Sequence, residues 1–300
     1  MVISKRFTAI ALPVFFIILV LALFIDLPVS KHFMNQNSIF GTVFQDLGLF
    51  PPTVILILSM IILNFYVFSK FESKLIKYII LFLSFIYTLI KTNTLVSETF
   101  KYIFATMDNI ERHKPLGVAS NEGDTSNALP MGLSFLITFI LLMLITLFVT
   151  KFWLQQVTQT EIERLVRVAF VSFFVLLVGL ETIDSLKELW GRARPYEIGH
   201  DGAHFTNWLT INGNTGHSSF PSGHTTDAAY LMFWAFYFKT RVAQKRMFII
   251  AFMFTIIMCV SRLRIGAHFL GDVTMAFTLI TLLMIAADYM IYKWNAKHLH

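Results

Sequence analysis

The chain is poor in charge and almost without cysteine. Asp, Glu, Lys and Arg make up only 14% of its 300 residues, against about 25% in soluble domains, which excludes an ordinary soluble enzyme. The single cysteine, Cys259, stands in an apolar run, so no disulfide can close within the chain and a cysteine-built metal site is ruled out. Internal repeats and low-complexity tracts are also missing, and no soluble domain fits between the apolar runs. What fills the chain is hydrocarbon: 56% hydrophobic residues, with 32 Phe and 13 Met. A soluble fold has no interior large enough to hide that much apolar surface, so much of it faces lipid.

Apolar windows of about 18 to 20 residues mark candidate spans, and eight occur, at residues 7–25, 49–68, 75–96, 131–152, 166–183, 221–238, 247–265 and 273–292. Lys5 and Arg6 precede the first in the manner of a secretory signal. That run is too long, however, and Asp26-Leu27-Pro28 is no small-residue cleavage site, so it reads as an anchor. Basic residues fall unevenly between alternate connections: 14 Lys and Arg in the set containing both termini, nine in the other, with Lys91 inside a span. The richer set is expected to be cytoplasmic. The net charge of +6 thus orients the chain in a membrane and is no argument for nucleic acid. The expected fold is all-α, a polytopic transmembrane bundle of about eight spans. Residues 1–165 form N-terminal spans with an outer loop at 97–130 that includes a short surface helix. Residues 166–300 form a second part, the two integrated as one membrane domain.

Three polar clusters lie at span ends: Lys187-x6-Arg194-Pro195, Pro221-Ser222-Gly223-His224, and Ser261-Arg262-x5-His268-x3-Asp272. No apolar run between Pro195 and Pro221 is long enough to cross a bilayer, and the chain crosses twice between His224 and His268. All three clusters therefore share one face, which the charge count makes extracytoplasmic. If the helix through 166–192 continues, Lys187 and Arg194 lie two turns apart and point the same way, with Pro195 ending it. Lys brings a point charge and Arg a planar fork that suits phosphate oxygens. Pro221 fits the first position of an inward helix, leaving the amides near Ser222 and Gly223 open to an anion. His268 and Asp272 are neighbours on a helical face, where a carboxylate on one ring nitrogen makes the other more nucleophilic. Gly266 breaks the helix between Arg262 and His268. The segment from Thr225 to Phe238 is short, roughly 21 Å at about 1.5 Å per residue, placing His224 near the headgroup boundary.

These clusters, in this order and spacing, resemble the three-part signature of the type-2 phosphatidic acid phosphatase superfamily, the lipid phosphate phosphatases. The resemblance covers 187–272 and says nothing specific about 1–165. It implies a family core of six spans and phosphate ester hydrolysis with no metal or other cofactor, through a phosphohistidine. On that basis His268 is the expected nucleophile, Asp272 its orienting partner and His224 the acid and base. Lys187, Arg194, Ser222, Gly223 and Arg262 would hold the phosphoryl oxygens. Implied substrates are lipid phosphates or pyrophosphates of the cell envelope, such as undecaprenyl pyrophosphate, phosphatidylglycerol phosphate or phosphatidic acid. Phosphotransfer through the same intermediate is one alternative; a non-enzymatic lipid transporter is another, although charges gathered at span ends favour surface chemistry over transport.

Outside the motifs, Arg192 and Arg264 are candidates for headgroup contacts. Asp227 is placed to restrain His224, and Lys91 and Glu181 are ionisable residues within spans that need partners, each a candidate for the other. His200 and His204 have ligand-like spacing but no carboxylate or Cys framework. Trp190 and Trp208 are expected to anchor the outer loop at headgroup level.

Overall fold

The computed structural model describes residues 2–117, 129–200 and 202–297. The polar stretch from Glu122 to Asn127, and His298 and His300, lie outside the described residues. The chain is helical: α1 (Lys5–Phe33), α2 (Ile39–Leu47), α3 (Phe50–Lys70), α4 (Lys74–Glu111), α5 (Met131–Phe152), α6 (Gln159–Trp190), α7 (Gly223–Tyr230), α8 (Arg241–Arg264) and α9 (Leu270–Lys297). Among the described residues, seven helical segments are long and apolar enough to cross a membrane. Hydroxyl side chains start six of the helices named above: Ser4, Ser38, Ser73, Thr158, Ser222 and Thr240 each accept an amide of the first turn. Such caps satisfy N–H groups that a helix leaves without an internal partner.

The eighth expected segment, 221–238, differs in kind from the others. It runs as α7 and then as a 3-10 helix over Leu231–Tyr237, about 26 Å in all from rises of about 1.5 and 2.0 Å per residue. That is short for a bilayer, and the segment survives because protein surrounds it: Tyr230, Met232, Phe233 and Phe236 are buried. Its last carbonyls find a partner in Arg164 of α6, which donates to Phe236 O at 2.8 Å and Tyr237 O at 3.1 Å while paired with Glu161 at 2.8 Å. Ser59 of α3 holds the Tyr237 hydroxyl at 2.8 Å. A Cβ on Gly179 of α6 would collide with the Tyr230 hydroxyl, so this glycine is what allows α6 and α7 to approach.

Helix α1 packs antiparallel to α9. At one end Val2 and Ile3 amides donate to Asp288 at 2.9 and 2.8 Å; at the other, the Gly271 amide donates to Asp26 at 2.8 Å. The described chain therefore begins and ends at the same end of the bundle. The opposite end gathers the ends of α1, α4, α6 and α8, the starts of α7 and α9, and all of α2.

Candidate active site

The three clusters meet at that second end. A cavity of about 330 Å³ is lined by Lys187, Arg194, Gly223, His224, Arg262 and His268, together with Gln45, Leu49, Glu98, Lys101, Tyr102, Ser218, Asp227 and Ala267. Each motif residue arrives by a different local device. Helix α6 stops at Trp190 because Gly191 takes the left-handed conformation at φ 48°, which glycine adopts without a Cβ clash. The helix thus ends four residues earlier than Pro195 alone implies, and Arg194 lies in extended backbone. Lys187 and Arg194 still reach one cavity, through a turn instead of through helical register. Arg194 donates to Ser218 Oγ at 3.2 Å and to the Tyr196 hydroxyl at 3.4 Å.

Pro221 stands outside the helix it was expected to begin. Ser222 is the N-cap of α7 and its buried hydroxyl accepts from Thr225 N, while its own amide donates to Asp272 O at 3.3 Å. Ser222 therefore shapes the turn and does not line the cavity; Gly223 does, with a Cβ there meeting the Lys187 ammonium. Gly266, at φ 71°, ends α8 as its position implied and turns the chain so that Arg262 and His268 face one space.

The two histidines differ in their anchors. His268 Nδ1 donates to the Ser219 carbonyl at 2.6 Å, which leaves the lone pair on Nε2. Asp272 was the expected orienting partner, but its nearer oxygen lies 3.9 Å from Nδ1, beyond hydrogen-bond range. Asp272 instead accepts from Ser219 Oγ at 2.6 Å and Phe269 N at 2.8 Å, so it acts on the imidazole through Ser219. Burial, reinforced by the Arg194 and Arg262 charges, holds the His268 imidazole well below its usual range. His224 Nε2 donates to Gln45 O of α2 at 3.1 Å, and its ring sits edge-on to Tyr102 of α4, 5.6 Å between centroids. Arg262 is fully buried and donates to Gly41 O of α2 at 2.8 Å.

Of the two headgroup candidates, one lies inside the protein. Arg192 is wholly buried: Nε donates to Thr206 O at 2.8 Å, one Nη bonds Asp272, the other bonds Asp26 at 2.9 Å, and the guanidinium lies 4.3 Å from the Phe269 ring centroid. Arg264 donates to Phe33 O at 2.7 Å and lies over that ring, tying α8 to the end of α1. Arg192, shut away from solvent, does not face a lipid headgroup; Arg264 is only half-buried, and one acceptor leaves it other N–H groups for such a contact. Trp190 and Trp208 likewise brace the loop internally, donating to Trp208 O at 2.6 Å and Leu19 O at 2.9 Å. Lys91 and Glu181 border a second cavity of about 360 Å³ that shares Leu49, Glu98, Lys187, Gly223 and Asp227 with the first, and so face a common space. Among the described residues no cluster of three His, Cys, Asp or Glu side chains could hold a metal ion.

Several site residues carry no motif. Gln45, Lys101 and Tyr102 come from helices before residue 112, and behind the cavity Arg192 is paired with Asp26 of the first helix. Compared with known families, residues 164–297 match the model described as the PAP2 superfamily, the group that the three clusters resemble and one of phosphatases and related activities. The match begins at Arg164 and leaves α1 to α5 outside it. Neither the curated proteins nor the solved structures contain a match to the chain.

Proposed function

With residues 164–297 in that superfamily, we propose that this protein is an integral membrane phosphatase that removes the terminal phosphate of a lipid phosphate or pyrophosphate. The observation that carries the reading is one small cavity lined by three cations, Lys187, Arg194 and Arg262, and by both histidines. Cations so placed bind phosphoryl oxygens and stabilise the charge that develops during transfer.

The Nε2 lone pair of His268 attacks phosphorus, forming a P–N bond as the bond from phosphorus to the leaving oxygen breaks. His224 gives that oxygen its proton. Water then attacks the phosphohistidine, its proton passing to His224, the P–N bond breaks, and inorganic phosphate leaves. Asp272 steadies His268 by way of Ser219. The two histidines supply the nucleophile and the proton and the three cations the charge stabilisation, so turnover is expected without added metal. The bias of 14 basic residues against nine supports an extracytoplasmic site in the cell membrane. The bundle-end position supports a substrate whose chain stays in the bilayer while its headgroup enters the cavity. Isoprenoid pyrophosphates, phosphatidylglycerol phosphate and phosphatidic acid all meet that description.

The test is release of inorganic phosphate by purified protein, with EDTA present, from a panel of these lipids in mixed micelles. Phosphate release abolished in His268→Ala supports the reading. Full turnover by that variant would refute the nucleophile, and dependence on added metal would refute the metal-free route. Phosphate appearing on an added lipid or sugar acceptor, with none free, would make the protein a phosphotransferase.

A further inference from the structure

The nucleophile is tied to the first helix through a buried chain of charges. Arg192 has one positive charge and two carboxylate partners, Asp26 and Asp272, and all three side chains are completely shielded from solvent. A guanidinium removed from water is tolerated only when paired and hydrogen-bonded throughout, and here each end of its fork meets an acid while Nε meets Thr206 O. Removing either acid leaves the other to hold Arg192 alone.

Both acids also sit on the start of α9. Asp272 accepts the Phe269 amide at 2.8 Å and Asp26 the Gly271 amide at 2.8 Å, where a helix has unpaired N–H groups and favours negative charge. His268 is the residue just before that turn. Its imidazole is held by the Ser219 carbonyl, and the Ser219 hydroxyl is held by Asp272 at 2.6 Å. Gly271 completes the arrangement: a Cβ there would stand 3.0 Å from Asp26 and 2.9 Å from Trp208, so glycine lets α1 come this close.

We propose that Asp26 is a positioning residue for His268, acting through Arg192, Asp272 and Ser219. It touches neither the cavity nor substrate. Its carboxylate fixes Arg192, which fixes the Asp272 side chain, which fixes Ser219 and so the ring bearing the attacking nitrogen. Outer partners of this kind typically change activity by about 10- to 100-fold when removed.

The proposal rests on His268 being the nucleophile, so the experiment separates the two. Full-length Asp26→Asn, Ser219→Ala, the double variant and His268→Ala are purified in detergent and assayed with phosphatidic acid carrying labelled phosphate. The readouts are kcat, KM and the alkali-stable phosphoenzyme. Expected are kcat losses of about 10- to 100-fold in both single variants, KM unchanged, and a double variant no worse than the poorer single, since both changes act through Asp272. Ser219→Ala keeps the backbone carbonyl, so it decides the matter should Asp26→Asn fail to fold. Wild-type kcat in the single variants, a rise in KM alone, or losses that multiply would overturn the positioning role. Label retained by His268→Ala would instead overturn the nucleophile.

Discussion

His224 Nε2 lies 3.1 Å from the carbonyl oxygen of Gln45, a residue 179 positions away. One of the two histidines lining the cavity is therefore held by a short helix outside the segment that matches the family. In this arrangement the proton is on Nε2, since a carbonyl can only accept. That proton is held by Gln45, so the one a departing alkoxide takes is the second proton of the imidazolium, on Nδ1.

His224→Ala is expected to lower kcat on an alkyl lipid phosphate by about 10²- to 10⁴-fold, the usual worth of a positioned acid and base. With an aryl phosphate, whose leaving group departs without a proton, the loss in the first step is smaller. Pre-steady-state phosphoenzyme formation on the two substrates reads the difference; equal losses would remove the acid role.

The pH profile depends on His268. In the proposed mechanism protonation consumes the attacking lone pair, so the active form is the neutral imidazole, present above the pKa of the group. Burial and the Arg194 and Arg262 charges push that pKa down, which carries the neutral form to more acid conditions than a free imidazole, whose pKa is about 6.5. The acid limb of kcat/KM is expected below that value. A limb at or above it, measured with a fully ionised substrate, would contradict the site's electrostatics.

Lys101 of α4 lines the cavity beside the three motif cations. Lys101→Ala is expected to raise KM by about two- to tenfold, the worth of one ordinary hydrogen bond, and to leave kcat nearly unchanged. The effect shrinks as salt is added. Titrating KM against ionic strength for wild type and variant checks it.

Gly266 is expected to resist substitution. At φ 71° a side chain costs roughly 1–2 kcal/mol, and the new Cβ would meet the Met34 side chain. Gly266→Ala should lower the unfolding midpoint in detergent and lose activity along with it, because the bend aligns Arg262 with His268.

The candidate site was legible because its residues are rare in an apolar chain and come at fixed spacings: Lys187, Arg194, Gly223, His224, Arg262 and His268 all reach one cavity. Other contributors had no signature to read. The acceptor for His268 is the Ser219 backbone carbonyl, which any residue supplies. Asp26 looked like the polar end of an apolar run, and Arg192 like one more cation near a headgroup; only the crossing of α1 against the loop after α6 joins them. Helix α2 has nine residues, too few for a periodicity to stand out between two long apolar stretches. The segment 221–238 read as a span like its neighbours, because hydropathy does not distinguish a helix that faces lipid from a short one wrapped in protein.

The buried Arg192 also bears on descent. A chain that kept only the portion equivalent to 164–297 would inherit a guanidinium with one acid in place of two. Asp26 and Arg192 should consequently be gained and lost as a pair, each tolerated only in company of the other. Among relatives built on a different first helix, the position of Arg192 is where a neutral residue, or an acid drawn from elsewhere, ought to be found.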